Sequence, residues 1–557
     1  MNKAMPIGIE DFKDVRENYY FVDKTDFIRQ LIDAHSNAIM ITRPRRFGKT
    51  LTMSMLDYFF SIDRKKDSAN LFQGLAIERA GADYMKHQGQ YPVVFVSFKN
   101  IQGCTWNDML DDMSIIFSGM YRKFGYLMQS NAVDDGLKVY FQKIVYKKAT
   151  PTELRFALVR LTDMLKMHYG KPAIVLIDEY DAPIQQARKC GFYDECTNFM
   201  QCFLGSALKT NESLDFAVLT GVFRIITESI CSGLNNLDDY SLLRDKYSNI
   251  FGFTPQEIAK LMSDVGKPEV LPELKQWYDG YQFGNTEIYN PLSVISYIDN
   301  HCLPRPYWMN TSNNSILREL VSHADYLLMK ELLGLLHDIP ISVSLNEGAM
   351  YDQIGKDRSA AYTMLLLRGY LAISEKIPTS YARYSLRIPN EEIKRVYSME
   401  ILNTIIDGVD KNTFDGLFNL LCTGQHKDFA YLLQKLLLQF ASTYGTVDKE
   451  NFYHGFMLSM AALFLGRNYT VESNRESGYE RFDLAIFPKD TNKAGVLMEF
   501  KAAESESMLQ EKSQEALQQI EDKKYDAEFA KRGITTVWKY GVAFCGANCQ
   551  AKCNFLE

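Results

Sequence analysis

In the first part of the chain, short apolar runs alternate with longer stretches whose apolar residues return at helical spacing. Ala38–Thr42 (AIMIT), Val93–Phe98 (VVFVSF), Ala173–Ile177 (AIVLI) and Phe216–Thr220 (FAVLT) are continuous enough to predict strands buried on both faces. Leu51–Phe60 and Thr152–His168, between them, predict helices. Strands separated by helices rather than tight turns imply a parallel sheet with helices on both faces, an α/β fold. From about Pro291 to Gly445 the chain is rich in Leu and poor in β-branched runs, with helical patterns over Ile316–Leu336 and Ala430–Ser442. This predicts a mainly helical middle. After about Thr446 the pattern becomes a helix (Asn451–Phe464), three strand-like runs and a charged helix (Glu504–Lys524). The expected parts are therefore 1–290, 291–445 and 446–557. No internal repeat or low-complexity linker separates them.

The 557 residues suit several domains, with cores large enough to need neither disulfides nor a structural metal. A content of 46% hydrophobic and 24% charged residues excludes a largely disordered chain. No stretch approaches the apolar length of a membrane span, and the start MNKAMPIGIEDF lacks a signal peptide's apolar core. No membrane partner and a cytoplasmic location are expected. A net charge of −7 leaves no global footprint for nucleic acid. The 10 cysteines are read as reduced thiols. Cys545, Cys549 and Cys553 do not have a usual zinc spacing and have no histidine close in sequence, so they are read as free thiols at a strand end and in a frayed tail.

Candidate chemistry changes this picture at two places. Ile41–Thr50 reads ITRPRRFGKT between a predicted strand and a predicted helix. In that setting backbone N–H groups at the helix start cradle phosphate, Lys49 reaches the β- and γ-phosphates, and Thr50 helps hold Mg²⁺. Arg46, Phe47, Gly48 and Leu51 complete the expected nucleotide-binding stretch. Arg43 stands where a P-loop usually has its first glycine, so the start of the loop is expected to differ. Alone, the segment is equally readable as a basic surface turn. Lys171–Ala182 (KPAIVLIDEYDA) is the complement: an apolar strand ending in Asp178, Glu179 and Asp181. Acids at the carboxyl end of a parallel strand face the ligand crevice. Asp178 is expected to hold Mg²⁺ and Glu179 to polarise the attacking water. In Leu219–Ile225 (LTGVFRI), Thr220 is a candidate γ-phosphate sensor and Arg224 a transition-state cation, the alternative being that Arg224 pairs with a surface acid.

Taken together, residues 6–300 resemble the AAA-ATPase-like family of bacterial proteins, a branch of the P-loop NTPases. The resemblance rests on Pro6–Phe12 (PIGIEDF), Tyr19–Thr25 (YYFVDKT), RPRRFGKT, IDEYDAPI, TGVFRI, Ser232–Leu237 (SGLNNL), Trp277–Tyr281 (WYDGY) and Tyr289–Val294 (YNPLSV). It implies ATP and Mg²⁺ as cofactors, accommodates the arginine-rich loop, and places Asp23 near the nucleotide. Trp277, Tyr278, Tyr281 and Phe283 are read as core rather than as a base-stacking platform.

The second place is Arg481–Lys501 (RFDLAIFPKDTNKAGVLMEFK), where two apolar runs flank a turn-rich stretch. A hairpin centred near residue 491 sets Asp483 opposite Glu499, and Lys501 on the same strand face as Glu499. Two carboxylates that bind Mg²⁺, with an ammonium beside them, suit metal-assisted phosphodiester hydrolysis. The bland alternative is a salt bridge on an exposed hairpin. The tail from FYHGF (Phe452–Phe456) through SNRESGYERFDL, EFK and ALQQIEDKKY resembles the PD-(D/E)XK nuclease superfamily, a restriction-endonuclease-like α/β fold. That resemblance implies Asp483, Glu499 and Lys501 as the catalytic set, with Gln519 and Tyr525 in a supporting helix. Its first-helix acid is open among Glu450, Glu472 and Glu476, and His454 is read as a packed helix residue. From Val447 onward there are 14 basic and 17 acidic residues, a weak footprint for long DNA. The function expected is an ATP-regulated nuclease on DNA or RNA. The alternative is a nucleotide-driven switch that binds a protein partner or itself, with an inactive nuclease fold.

Overall fold

The computed structural model describes residues 3–224, 237–308, 317–318, 320, 326–336, 338–345, 357–377, 383–406, 411–444, 453, 456–457, 460–461, 469–477, 480–523 and 525–556. The chain divides into two compact units, one built on Met1–Trp308 with Leu366–Ala372 added, the other holding most of the remainder.

The first unit contains a five-stranded parallel sheet of β1 (Ala38–Thr42), β2 (Val93–Ser97), β3 (Ala173–Asp178), β4 (Leu214–Gly221) and β5 (Leu237–Tyr240), ordered β2-β3-β4-β1-β5. β1 and β3 are buried along their whole length, as their unbroken apolar runs require of strands covered on both sides. On one face, Val94, Val96, Val175 and Ile177 join Met113, Phe117, Leu161, Leu165 and Phe203 from the helices Trp106–Arg122, Ala157–Tyr169 and Tyr193–Leu208 in one core. The helix Lys49–Phe60 that follows β1 also lies against β2 and β3. Trp277 and Tyr278 are buried in a smaller core with Leu274, Tyr289 and Tyr297, and Tyr281 and Phe283 are buried on the short strand β6 (Tyr281–Phe283), paired with β7 (Thr286–Ile288).

Cys104, in the loop after β2, is disulfide-bonded to Cys190 at the end of the helix Ala182–Cys190, with Cα atoms 5.2 Å apart. Reduced thiols were expected at both. Standing 86 positions apart, they give no local sign of pairing, and the parallel pairing of β2 with β3 brings the loop after β2 beside the helix after β3.

The second unit includes the helices Tyr326–Leu336, Glu391–Ile406, Lys411–Cys422 and His426–Tyr444. Set among these is a feature unread from sequence, a small sheet ordered β8-β10-β9 from β8 (Ile341–Ser344), β9 (Ala372–Ile377) and β10 (Arg383–Arg387). Its strands are short and half-exposed, so their apolar signal is weak. The C-terminal sheet has five strands in chain order: β11 (Tyr469–Ser477), β12 (Glu480–Pro488), β13 (Gly495–Ala502), β14 (Val537–Cys545) and β15 (Asn548–Leu556). All neighbours are antiparallel except β13 and β14, which are joined by the helix Leu509–Lys523. Cys549 and Cys553 therefore lie on a strand rather than in a frayed tail. Cys549 is buried, and the Cys553 sulfur is 3.3 Å from His426 Nδ1. The helix expected over Asn451–Phe464 lies largely outside the described residues.

Candidate functional site

β1 runs directly into the loop. The Arg43 N–H donates to the Gly221 carbonyl at 3.0 Å, extending the pairing of β1 with β4 by one residue. The Arg43 guanidinium is buried and donates to the carbonyls of Thr42 (2.8 Å), Tyr240 (2.9 Å) and Tyr247 (3.1 Å). Arg43 thus needs no left-handed backbone. That conformation falls instead on Arg46 (φ 70°) and Gly48 (φ 84°). A Cβ on Gly48 would meet nothing, so it is the dihedral rather than crowding that favours glycine there. Phe47 is held edge-on against Tyr281, with ring centroids 5.1 Å apart. Lys49 opens the helix almost fully buried, and its ammonium donates to the carbonyls of Pro44 (2.8 Å) and Arg43 (3.1 Å). Burial pushes its pKa down, against the pull of Glu179, Asp178 and Asp181.

The Thr50 hydroxyl, one residue on, donates to Asp178 Oδ2 at 2.8 Å. Asp178 is fully buried at the end of β3, and its Oδ1 accepts the Thr220 hydroxyl of β4 at 2.7 Å. Glu179 has a left-handed backbone (φ 50°), and burial pushes its carboxyl up. Asp181 does different work: its Oδ2 accepts the N–H groups of Val222 (3.0 Å) and Phe223 (2.9 Å) and the Gln185 amide (2.7 Å). Asp181 therefore ties the start of its helix to the end of β4. A hydroxyl and a carboxylate in contact fit a hard divalent cation, and a buried ammonium beside helix-start N–H groups fits phosphate.

In the second unit, Leu484 pairs with Met498, so Asp483 and Glu499 are next in line on β12 and β13. Asp483 Oδ2 accepts the Phe500 N–H at 2.7 Å. Glu499 is buried, its Oε1 accepts the Gln519 amide, and Lys501 Nζ lies 4.0 Å from the same oxygen. Gln519 reaches Glu499 because its helix lies almost in contact with β14. Gly541, the β14 partner of Glu499, has so little space that a Cβ would sit 2.3 Å from the Ser513 carbonyl. The group consists of two carboxylates, an ammonium and an amide. Among the described residues, no cluster of three or more His, Cys, Asp or Glu is arranged to hold a metal.

A family model for a predicted AAA-ATPase matches residues 6–231, and one for the PD-(D/E)XK nuclease superfamily matches residues 448–553. The chain joins a predicted AAA-ATPase domain to a PD-(D/E)XK nuclease superfamily domain. It is also 26% identical over 542 residues to an uncharacterized protein in the vnfD 5′ region of Azotobacter chroococcum mcd 1, covering 95% of this chain and 94% of that one.

In the ATPase domain the structure brings Lys49, Thr50, Asp178 and Thr220 together, and Leu51 continues the first helical turn. Asp23 is engaged elsewhere: it accepts from Thr25 and from the Ala76 N–H at 2.7 Å. Arg224 Nε pairs with Asp239 Oδ2 at 2.9 Å. In the nuclease domain Asp483, Glu499, Lys501 and Gln519 converge, and Tyr525 Oη lies 3.4 Å from the Gln519 amide. Of the rival acids, Glu472 is held by Arg532 through both oxygens, at 2.9 and 3.0 Å, and Glu476 pairs through its backbone with Arg481. Glu450 and His454 lie outside the described residues, as does most of the SGLNNL segment. Sequence reasoning missed Gln185 and Gly541. A glycine within an apolar strand is a signal of close approach that Gly541 does offer, whereas a helical glutamine offers none.

Proposed function

We propose that this protein binds and hydrolyses ATP with Mg²⁺, and that its nucleotide state regulates a metal-dependent nuclease acting on DNA or RNA in the bacterial cytoplasm. The observation that carries the reading is the contact of Thr50 with Asp178 beside the buried Lys49 ammonium. That combination is the cation and phosphate chemistry of a nucleotide site. Lys49 and the loop N–H groups would bind the phosphates, Thr50 and Asp178 would hold the cation, and Glu179 would orient the attacking water. Bound Mg²⁺ supplies charge neutralisation at the phosphates.

At the second site Asp483 and Glu499 would hold the divalent ion, which supplies Lewis acidity and lowers the pKa of bound water. Lys501 would stabilise developing negative charge, and Gln519 would hold the Glu499 carboxylate in place. Among the described residues no helix is long and apolar enough to cross a membrane.

The test is cleavage of single- and double-stranded DNA and RNA with Mg²⁺ or Mn²⁺, with and without ATP. Wild type is compared with Lys501→Ala and Lys49→Ala. Cutting lost in Lys501→Ala supports the nuclease, and ATP dependence lost in Lys49→Ala supports the regulation. The excess of 17 acidic over 14 basic residues after Val447 favours a second reading, a nucleotide-driven switch that captures a protein partner or a second copy through an inactive nuclease fold. Partner capture surviving Asp483→Ala, with no cutting by wild type, would select it.

A further inference from the structure

The chain segments that leave β2 and β3 are joined twice. At the strand ends Ser97 pairs with Asp178, the Phe98 N–H donates to the Asp178 carbonyl at 3.1 Å, and Ser97 Oγ lies 3.4 Å from Asp178 Oδ2. Farther along, the Cys104–Cys190 bond joins the same two segments again. These two links close a ring of chain that contains Glu179, Asp181 and the helix Ala182–Cys190. Asp181 fixes the start of that helix by accepting from Val222 and Phe223. Its first turns reach the phosphate loop, where Gln185 Oε1 is 3.5 Å from Arg45 Nη2. Its last residue is Cys190, so the disulfide fixes the other end.

This bond is not one the fold needs. The sheet and its helices share a large apolar core, whereas disulfides that hold a fold together belong to small domains without one. Nor is the bond shielded, since Cys104 is exposed and Cys190 half-buried. Other groups also keep the two sulfurs side by side. Asp112 Oδ2 accepts the N–H groups of Gln102 and Gly103, both at 2.9 Å. The Gln186 amide donates to the Gln102 carbonyl at 2.9 Å and lies 3.5 Å from Cys104 Sγ and 3.6 Å from Cys190 Sγ. Gly103 packs so tightly on the next helix that a Cβ there would sit 2.5 Å from the Met109 nitrogen. Cleavage of the bond therefore leaves two thiols facing each other, able to form it again. In the reducing cytoplasm proposed above, an exposed disulfide of this kind is a labile, regulatory one.

We propose that Cys104 and Cys190 form a reversible redox site that controls the candidate nucleotide site: the oxidised pair holds the acids and the helix after them in place, and reduction releases the helix end. The proposal rests on reading the loop as a nucleotide site. The reductant is a dithiol. One of its thiolates attacks the exposed Cys104 sulfur, the S–S bond breaks, and Cys190 leaves as a thiolate. The second thiolate attacks the reductant sulfur of the mixed disulfide, and Cys104 leaves. Two electrons and two protons pass to the protein, and the reductant ends as its own disulfide.

The experiment equilibrates the full-length protein with mixtures of reduced and oxidised dithiothreitol. Thiols are read by alkylation and mass spectrometry, the helix by amide exchange across Ala182–Cys190, and the site by ATP binding and Mg²⁺-dependent turnover. Wild type is compared with Cys104→Ser, with melting of each nucleotide-free protein as a fold control. Cys104 and Cys190 should be paired at the oxidised end and both free at the reduced end. Reduction should speed exchange and lower turnover about 3- to 10-fold, less than the roughly 100-fold that a shift of about 1 Å costs, because the Asp112 and Gln186 hydrogen bonds remain. Cys104→Ser should match reduced wild type in every mixture. Either cysteine free at the oxidised end, or a pair that no mixture opens in the folded protein, would overturn the proposal. So would exchange or turnover equal in the two states of a wild type that binds ATP, or a redox response that persists in Cys104→Ser. No ATP binding by wild type in either state, with the pair still titrating, would overturn the nucleotide reading and the control assigned to that site. The wild-type exchange measurement does not depend on the variant folding.

Discussion

At the scale of single residues, burial decides what each charged group can do. Lys49 is almost dehydrated and is held by two carbonyls, neither of which neutralises it. An anion arriving there gains a strong interaction at little reorganisation cost. Lys49→Ala should lower nucleotide affinity about 100-fold or more, measured by titration, since a charged donor in such a site contributes a few kcal/mol. Asp279 gives a pH prediction. Burial, then a hydrogen bond with Glu287, raises its carboxyl from 3.8 to about 7. The folded state therefore holds a proton that the unfolded chain has released, so this group's stabilising contribution is complete below 3.8 and is lost as pH rises through about 7. The melting temperature should fall between about pH 4 and pH 7 and level off above, and Asp279→Asn should flatten that fall. A slope unchanged in the variant would assign the dependence to other groups.

At the scale of elements, close approach positions chemistry. Gly541 lets the helix Leu509–Lys523 lie against β14, and that contact brings Gln519 to Glu499. Gly541→Val should lift the helix, cost about 1–3 kcal/mol in denaturant unfolding as overpacking does, and abolish any cleavage. Cleavage retained at full rate would show that Gln519 is dispensable. Much of this level was legible in sequence. Unbroken apolar runs marked the parallel strands, because strands covered on both faces have no polar side to display. The turn-rich stretch around residue 491 marked the β12–β13 hairpin, whose register follows from the turn position. The small sheet of β8, β9 and β10 was not legible, since half-exposed strands of four to six residues carry little pattern.

At the scale of the whole molecule, the chain returns to its first unit after leaving it. Tyr370 packs edge-on against Trp308 at 5.0 Å, and Gly369 lies against Pro44. Tyr370→Ala should cost about 3 kcal/mol, as removal of a buried aromatic does, and the loss should appear in the Trp308 environment by fluorescence. If nucleotide state regulates the nuclease, the same variant should also blunt the ATP dependence of cleavage while leaving the ATP-independent rate within about twofold, a change smaller than 0.5 kcal/mol. A variant as ATP-responsive as wild type would remove this segment from the coupling.

The amino-acid sequence by itself determined which residues carry charge and hydroxyls at the ends of strands, because the order strand, loop, helix and strand, acid is local and its apolar periodicity is strong. It also set Asp483 and Glu499 next in line on neighbouring strands, since one hairpin turn sets the register of both. Tertiary structure alone decided the partners. Arg224 went to Asp239 and Asp23 to the Ala76 N–H, while Arg368 came to Gln185 from another part of the chain. Such pairings depend on which buried polar groups can satisfy one another once the sheet has formed. That is a property of space, and spacing along the chain does not encode it.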